Sequence, residues 1–218
     1  MRRLPLLAAV CLLAACGGGG KHGATTTTTS QTTTDAAGCI PTTAPAAASR
    51  SEKKPTQMLD ASKTYMITFD TNCGSFTIKI DQKQSPNAAA SFVALTNDGF
   101  FNATIFHRIV PGFVIQGGDP TQSGTGGPGY TTVDKPPASA KYTHGVVAMA
   151  KTGAQPAGTA GSQFFVVTVA DAGLPPDYAI IGTVTKGLGV VDRIGKLGDA
   201  NENPTEVVEI EKATVTTS

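Results

Sequence analysis

Apolar and polar residues alternate along Tyr65-Met66-Ile67-Thr68-Phe69-Asp70 and again along Ser75-Phe76-Thr77-Ile78-Lys79-Ile80. That is the period of a strand with one buried face. The turn residues Thr71-Asn72-Cys73-Gly74 lie between the two runs, so the pattern predicts a hairpin. Ser85-Pro86 then opens a helix, with serine as N-cap and proline at the first helical position. Ala89, Phe92, Val93 and Leu95 give this helix a buried face, and Asn97-Asp98-Gly99 ends it. Further strands are predicted over 105–110, 114–116, 146–150, 164–167 and 179–184, then a short helix over 188–195 and a last strand over 207–214. Many short strands, long Gly/Pro-rich loops and two helices predict a mainly β domain folded as a closed antiparallel barrel.

The pattern is different before residue 58. Arg2 and Arg3 precede an apolar run, Leu4 to Ala15, that is too short for a permanent membrane helix and fits a secretory signal. It ends in Leu13-Ala14-Ala15-Cys16, which resembles the bacterial lipoprotein box and marks Cys16 for lipidation. The sequence therefore divides into a signal peptide over 1–15, a flexible lipid-anchored linker over 16–57 and a folded domain over 58–218. The linker's Gly17–Gly20 run and its threonine tract cannot bury apolar surface. This places the chain outside the cytoplasm, held to a bacterial membrane through Cys16. Cys11 leaves with the signal, so Cys39 and Cys73 remain and are expected to pair in an oxidising compartment; two free thiols are the alternative.

Charge narrows the partners. Of 218 residues 17 are basic and 16 acidic, a formal +1, and loss of Arg2 and Arg3 leaves 15 against 16, a formal −1. No clustered basic face is visible, which argues against nucleic acid. There is no CxxC pair and only three histidines, so no metal site or cofactor is expected. The domain is expected to be monomeric.

Two dense motifs remain: Phe106-His107-Arg108-Ile109-Val110-Pro111-Gly112-Phe113-Val114-Ile115-Gln116-Gly117-Gly118-Asp119-Pro120 and Gly161-Ser162-Gln163-Phe164-Phe165-Val166-Val167. Together, and in this order, they resemble the signature of the cyclophilin family of peptidyl-prolyl cis-trans isomerases, a likeness that runs from about Tyr65 to Thr214. The resemblance implies an eight-stranded closed barrel capped by two helices. It implies catalysis by Arg108, oriented by Gln116, on the bond preceding proline in unfolded exported proteins. It also implies a ring pocket of Phe113, Val114, Phe165 and Leu174, and backbone contacts from Ala150 and Lys151. Tyr178 stands where the family has a pocket histidine, Lys151 where an asparagine is usual, and Gly173 where a rim tryptophan is usual, which implies weakened binding of cyclosporin.

The chemistry is consistent with those residue types. Amide resonance sets a barrier of about 18–20 kcal/mol, and a catalyst has only to favour the twisted amide over both planar forms. A permanently charged, planar arginine beside an apolar hollow suits that task. His107 reads as structural, because adjacent strand positions face opposite sides. A non-catalytic module that holds proline-containing peptides is the alternative function.

Overall fold

The computed structural model describes residues 34–35 and 38–218. The expected leader over 1–15, the lipid site Cys16 and all of the threonine tract but Thr34 lie outside the described residues. The predicted hairpin is β1 (Tyr65–Thr71) and β2 (Gly74–Ile80), which pair antiparallel with Ile67 opposite Ile78 and Phe69 opposite Phe76. These four residues are buried, as the alternation requires.

Helix α1 (Pro86–Asn97) begins at Ser85, but the serine side chain makes no capping bond. Asp134 caps the helix instead: its carboxylate accepts from the Ala88 N–H at 2.6 Å and from Asn87 Nδ2 at 2.7 Å. A carboxylate at this position also meets the positive end of the helix dipole. Ser85 thus holds the N-cap position that the sequence predicts, while the capping hydrogen bond comes from a residue 46 positions beyond Ala88.

The remaining strands are β3 (Thr104–Ile105), β4 (Arg108–Val110), β5 (Val114–Gly117), β6 (Thr132–Val133), β7 (Val146–Met149), β8 (Thr159–Ala160), β9 (Phe164–Val167), β10 (Ile180–Lys186) and β11 (Glu209–Thr217). Helix α2 (Leu188–Ile194) precedes β11. Among the described residues, nine strands form one sheet in the order β3-β11-β1-β2-β10-β7-β9-β5-β4, and β6 pairs only with β8. This corrects the expected closed eight-stranded barrel. The stretch read as one strand over 105–110 is two strands, split by Phe106-His107, and they form opposite edges of the sheet. Two edges joined by so short a link lie within about 10 Å of each other, so the sheet curls strongly without a ladder closing it.

Alternation along these strands sorts the side chains into two clusters. Ile115, Val147, Met149, Phe164 and Val166 join the core around Phe69, Phe76, Phe92, Phe101 and Phe106. There Phe69 stacks on Phe76 at 5.3 Å, and Phe164 meets Phe92 edge to face at 5.2 Å. Val114, Val146, Ala148, Phe165 and Val167 point the other way and pack with Tyr142 and Ile180.

Residues 38–57 have no helix or strand, yet they do not behave as the flexible linker expected there. They run along the domain as a strap. Cys39 is buried and joined to Cys73 by a disulfide. Ile40 donates to the Asn72 carbonyl, Ala48 to that of Pro120 and Glu52 to that of Pro128. Arg50 donates to the carbonyls of Phe100 and Asn102. Proline and alanine supply little apolar surface for a core, but the backbone of this stretch still pairs with the domain's loops, at contacts where Asn72, Phe100, Pro120 and Pro128 are buried.

Two predictions follow from this packing. The disulfide closes a loop with a sequence separation of 34, so Cys39→Ser with Cys73→Ser is expected to lower unfolding free energy by about 2–4 kcal/mol in urea titrations; unchanged stability would contradict the strap. His107, in the link between the sheet edges, has no hydrogen-bond partner for either buried ring nitrogen among the described residues. Burial, aided by nearby Arg108 and opposed by Asp119 and the neighbouring Gln163 side chain, holds it below its ordinary 6.5. The unfolded chain therefore binds this proton more readily, and stability is lost as pH falls below about 6.5. His107→Asn is expected to flatten that acid limb, whereas an identical pH slope would refute the assignment.

Candidate active site

Cross-strand register builds the site. Arg108 of β4 lies opposite Gln116 of β5, Gln116 opposite Phe165 of β9, and Phe165 opposite Ala148 of β7. Residues directly opposite in a pleated sheet share a face, so this row sets Arg108, Gln116 and Phe165 side by side. The next row pairs Val110 with Val114 and Val114 with Val167. Its apolar residues extend the face below the guanidinium.

A hollow of about 190 Å3 opens on this face, lined by Arg108, Phe113, Val114, Gln116, Ala150, Lys151, Phe165, Leu174 and Tyr178. All nine residues singled out from the sequence for catalysis or substrate contact meet there. Sites for whole small-molecule ligands typically run to about 300–1,000 Å3, so this hollow is sized for one compact side chain. A larger groove of about 670 Å3 adjoins it, walled by Gly124–Thr131, Thr152, Gln155 and Gly161–Gln163. Gln116, Ala150 and Lys151 border both spaces.

A chain of side-chain amides links the two. Arg108 Nη1 donates to Gln116 Oε1 at 3.2 Å, Gln116 Nε2 to Gln163 Oε1 at 3.1 Å, and Gln163 Nε2 to the Gly126 carbonyl at 2.9 Å. Asp119 fixes the far end by accepting from the Gly126 N–H. Burial would raise this carboxyl, but the hydrogen bonds from Thr121 and Gly126 outweigh it and hold Asp119 below the usual carboxylate value. The Arg108 side chain keeps 34% of its surface exposed, enough to meet a substrate arriving from solvent. Its Nε donates to Glu202 Oε2 at 2.6 Å.

The opposite wall is cross-braced. The buried Tyr142 hydroxyl donates to the Tyr178 carbonyl and accepts from the Tyr178 N–H. The rings of Phe165 and Tyr178 meet edge to face at 5.4 Å. Lys151, its side chain only 3% exposed, pairs with Asp177, donates to the Gln155 carbonyl and sits 5.5 Å above the Tyr178 ring. A charge so far from water needs these partners. At Gly173, φ is +62°, and a Cβ there would meet no atom within 4 Å, so the rim is open on that side.

Sequence reading did not assign roles to Gln163, Tyr142, Asp177 or Glu202. Gln163 was within reach, since it lies two positions from Phe165 and therefore shares its face. The other three come from loops and turns outside the named strands, and no periodicity marks them. One cluster of potential metal ligands occurs among the described residues, Asp35, Cys39 and Glu206, but the Cys39 sulfur is already in the disulfide.

Comparison with known proteins agrees with this geometry. Residues 66–215 match the family model described as cyclophilin type peptidyl-prolyl cis-trans isomerase/CLD. The chain is 36% identical over 154 residues to a peptidyl-prolyl cis-trans isomerase-like 1 of Emericella nidulans, covering 68% of this chain and 93% of that protein. It is 37% identical over 147 residues to a peptidyl-prolyl cis-trans isomerase of Helicobacter pylori, covering 66% of this chain and 88% of that one. A crystal structure of a cyclophilin-type isomerase from Cryptosporidium parvum superposes with a TM-score of 0.64 at 31% identity, over 70% of this chain and 98% of that one. The structure of the same protein in the presence of the dipeptide Ala-Pro also gives 0.64, over 69% and 98%. With the family model spanning most of the domain and the signature residues gathered round one hollow, the chain belongs to the cyclophilin-type peptidyl-prolyl cis-trans isomerases and is an enzyme of that class.

Proposed function

We propose that this isomerase seats the proline ring in the 190 Å3 hollow and uses the Arg108 guanidinium to favour the half-rotated amide. The observation that carries this reading is the position of a partly exposed guanidinium on the wall of a pocket that also holds Phe113, Val114, Phe165 and Leu174, with Gln116 holding one Nη. In the planar amide the nitrogen lone pair is delocalised into the carbonyl. Rotation localises it, so a fixed donor gains most when the bond is twisted. No nucleophile is needed. The unaided event takes tens to hundreds of seconds, and one contact worth about 3 kcal/mol in the twisted state would quicken it more than a hundredfold. Residues before the proline would lie across Ala150 and Lys151 toward the larger groove, where the Gly126 loop is held by Gln163 and Asp119.

We further propose that the clients are exported polypeptides and that the domain is tethered to a membrane through Cys16. Support comes from the apolar run Leu4–Ala15, the Leu13-Ala14-Ala15-Cys16 motif and the use of Cys39 and Cys73 as a disulfide.

Arg108→Ala is expected to reduce kcat/KM on a proline tetrapeptide by roughly a hundredfold to a thousandfold, measured with a protease-coupled assay. Arg108→Lys should recover only part of the loss, because a lysine keeps the charge without the planar fork. Wild-type rates in Arg108→Ala would exclude the mechanism, and peptide binding without turnover in the wild type would favour a binding module.

A further inference from the structure

Glu202 is bound to the proposed catalytic arginine, and its backbone is unusual. Its φ is +67°, in the left-handed region that favours glycine, and it is one of three non-glycine residues with positive φ among the described residues. Such conformations persist where the surroundings over-determine them, and they cluster at functional sites. Here the surroundings do so. Asp199 Oδ1 accepts from the N–H groups of Asn201 and Asn203, both at 2.8 Å, and the Glu202 N–H donates to the Asp199 carbonyl at 3.1 Å. The Asp199 N–H closes the loop on the Asn203 carbonyl at 2.9 Å.

This loop is pressed against β4. A Cβ on Gly198 would come within 2.1 Å of the Ile109 carbonyl oxygen, so only glycine permits the approach. The Ile109 N–H donates to the Glu202 carbonyl at 3.0 Å. Glu202 therefore grips two consecutive residues of β4, Ile109 through its backbone and Arg108 through its carboxylate. Gln116 takes Nη1 from the other side. With Nε and Nη1 both engaged, the guanidinium plane is fixed, and Nη2 makes no hydrogen bond among the described residues.

We infer that Glu202 is a positioning residue for isomerisation: its carboxylate, presented by the strained 199–203 loop, holds the Arg108 guanidinium in the orientation that leaves Nη2 free for the twisted amide. The inference rests on the proposed role of Arg108. Freezing a long side chain before substrate arrives removes an ordering cost that would otherwise fall on the transition state. The carboxylate also offsets part of the arginine's charge, which acts against catalysis, so the sign of its net effect is itself the test.

The informative variant is Glu202→Gly, because glycine accepts the positive φ without strain while deleting the carboxylate. Its melting temperature is expected to equal or exceed that of the wild type, while kcat falls three- to tenfold and KM stays nearly constant. Glu202→Gln, which keeps an acceptor for Nε, is expected to recover at least half of the lost rate. In an Arg108→Ala background Glu202→Gly should have no further effect. Wild-type kcat in Glu202→Gly, a lowered melting temperature, no recovery in Glu202→Gln, or an undiminished effect without Arg108 would each overturn the inference. Full activity in Arg108→Ala alone would instead overturn the role of the arginine on which it rests.

Discussion

The register between β4, β5 and β9 is the constraint on which the rest of the site depends. Side chains alternate strictly along a strand, so a slip of one residue would send Arg108, Gln116 and Phe165 to opposite faces. The register is protected on its far side by the phenylalanine core. Phe164 and Ile115 are fully buried there, and a slip would carry both out of that core onto the face that Val114, Phe165 and Val167 fill. Core packing thereby fixes the position of a guanidinium that is itself partly solvated. The face proposed for catalysis is specified from behind.

Polar groups then refine what the sheet places. The arginine is held by an amide on one side and a carboxylate on the other, and the amide continues through Gln163 to the loop that walls the larger groove. On the opposite wall Tyr142 braces Tyr178 through both its backbone groups, and the Lys151–Asp177 pair ties two loops together. Loops carry much of this site, and each is anchored by a buried or ion-paired side chain. Anchored loops lose little further entropy on binding, which is what preorganisation requires.

The sequence was most legible where period and function coincide. Phe164 and Phe165 are neighbours with opposite duties, and alternation alone separates core from pocket. The two motifs hold Arg108, Phe113, Val114, Gln116 and Phe165, and the family resemblance supplied the other four residues of the hollow, Ala150, Lys151, Leu174 and Tyr178. What escaped depends on long-range closure. A two-residue link, Phe106-His107, splits one predicted strand into two sheet edges, and nothing local announces it. Ser85 keeps the N-cap position, but the bond to the Ala88 N–H is made by Asp134, 46 residues further on, which no local pattern announces. The strap over 38–57 lacks any apolar period, so composition classed it with the threonine tract before it. Glu202 was silent for a further reason: its signal is a backbone angle, and a glutamate in a polar loop gives no hint of positive φ.

The central claim is differential: Arg108 contributes to the twisted amide and hardly at all to the planar ones. Exchange NMR on a proline peptide at saturating enzyme measures that difference directly, since it reports the cis–trans rate on the enzyme together with the affinity of each isomer. The account predicts that Arg108→Ala binds both isomers within a few-fold of the wild type while the on-enzyme exchange rate collapses. An exchange rate that survives the substitution, or a loss of affinity as large as the loss of rate, would contradict it.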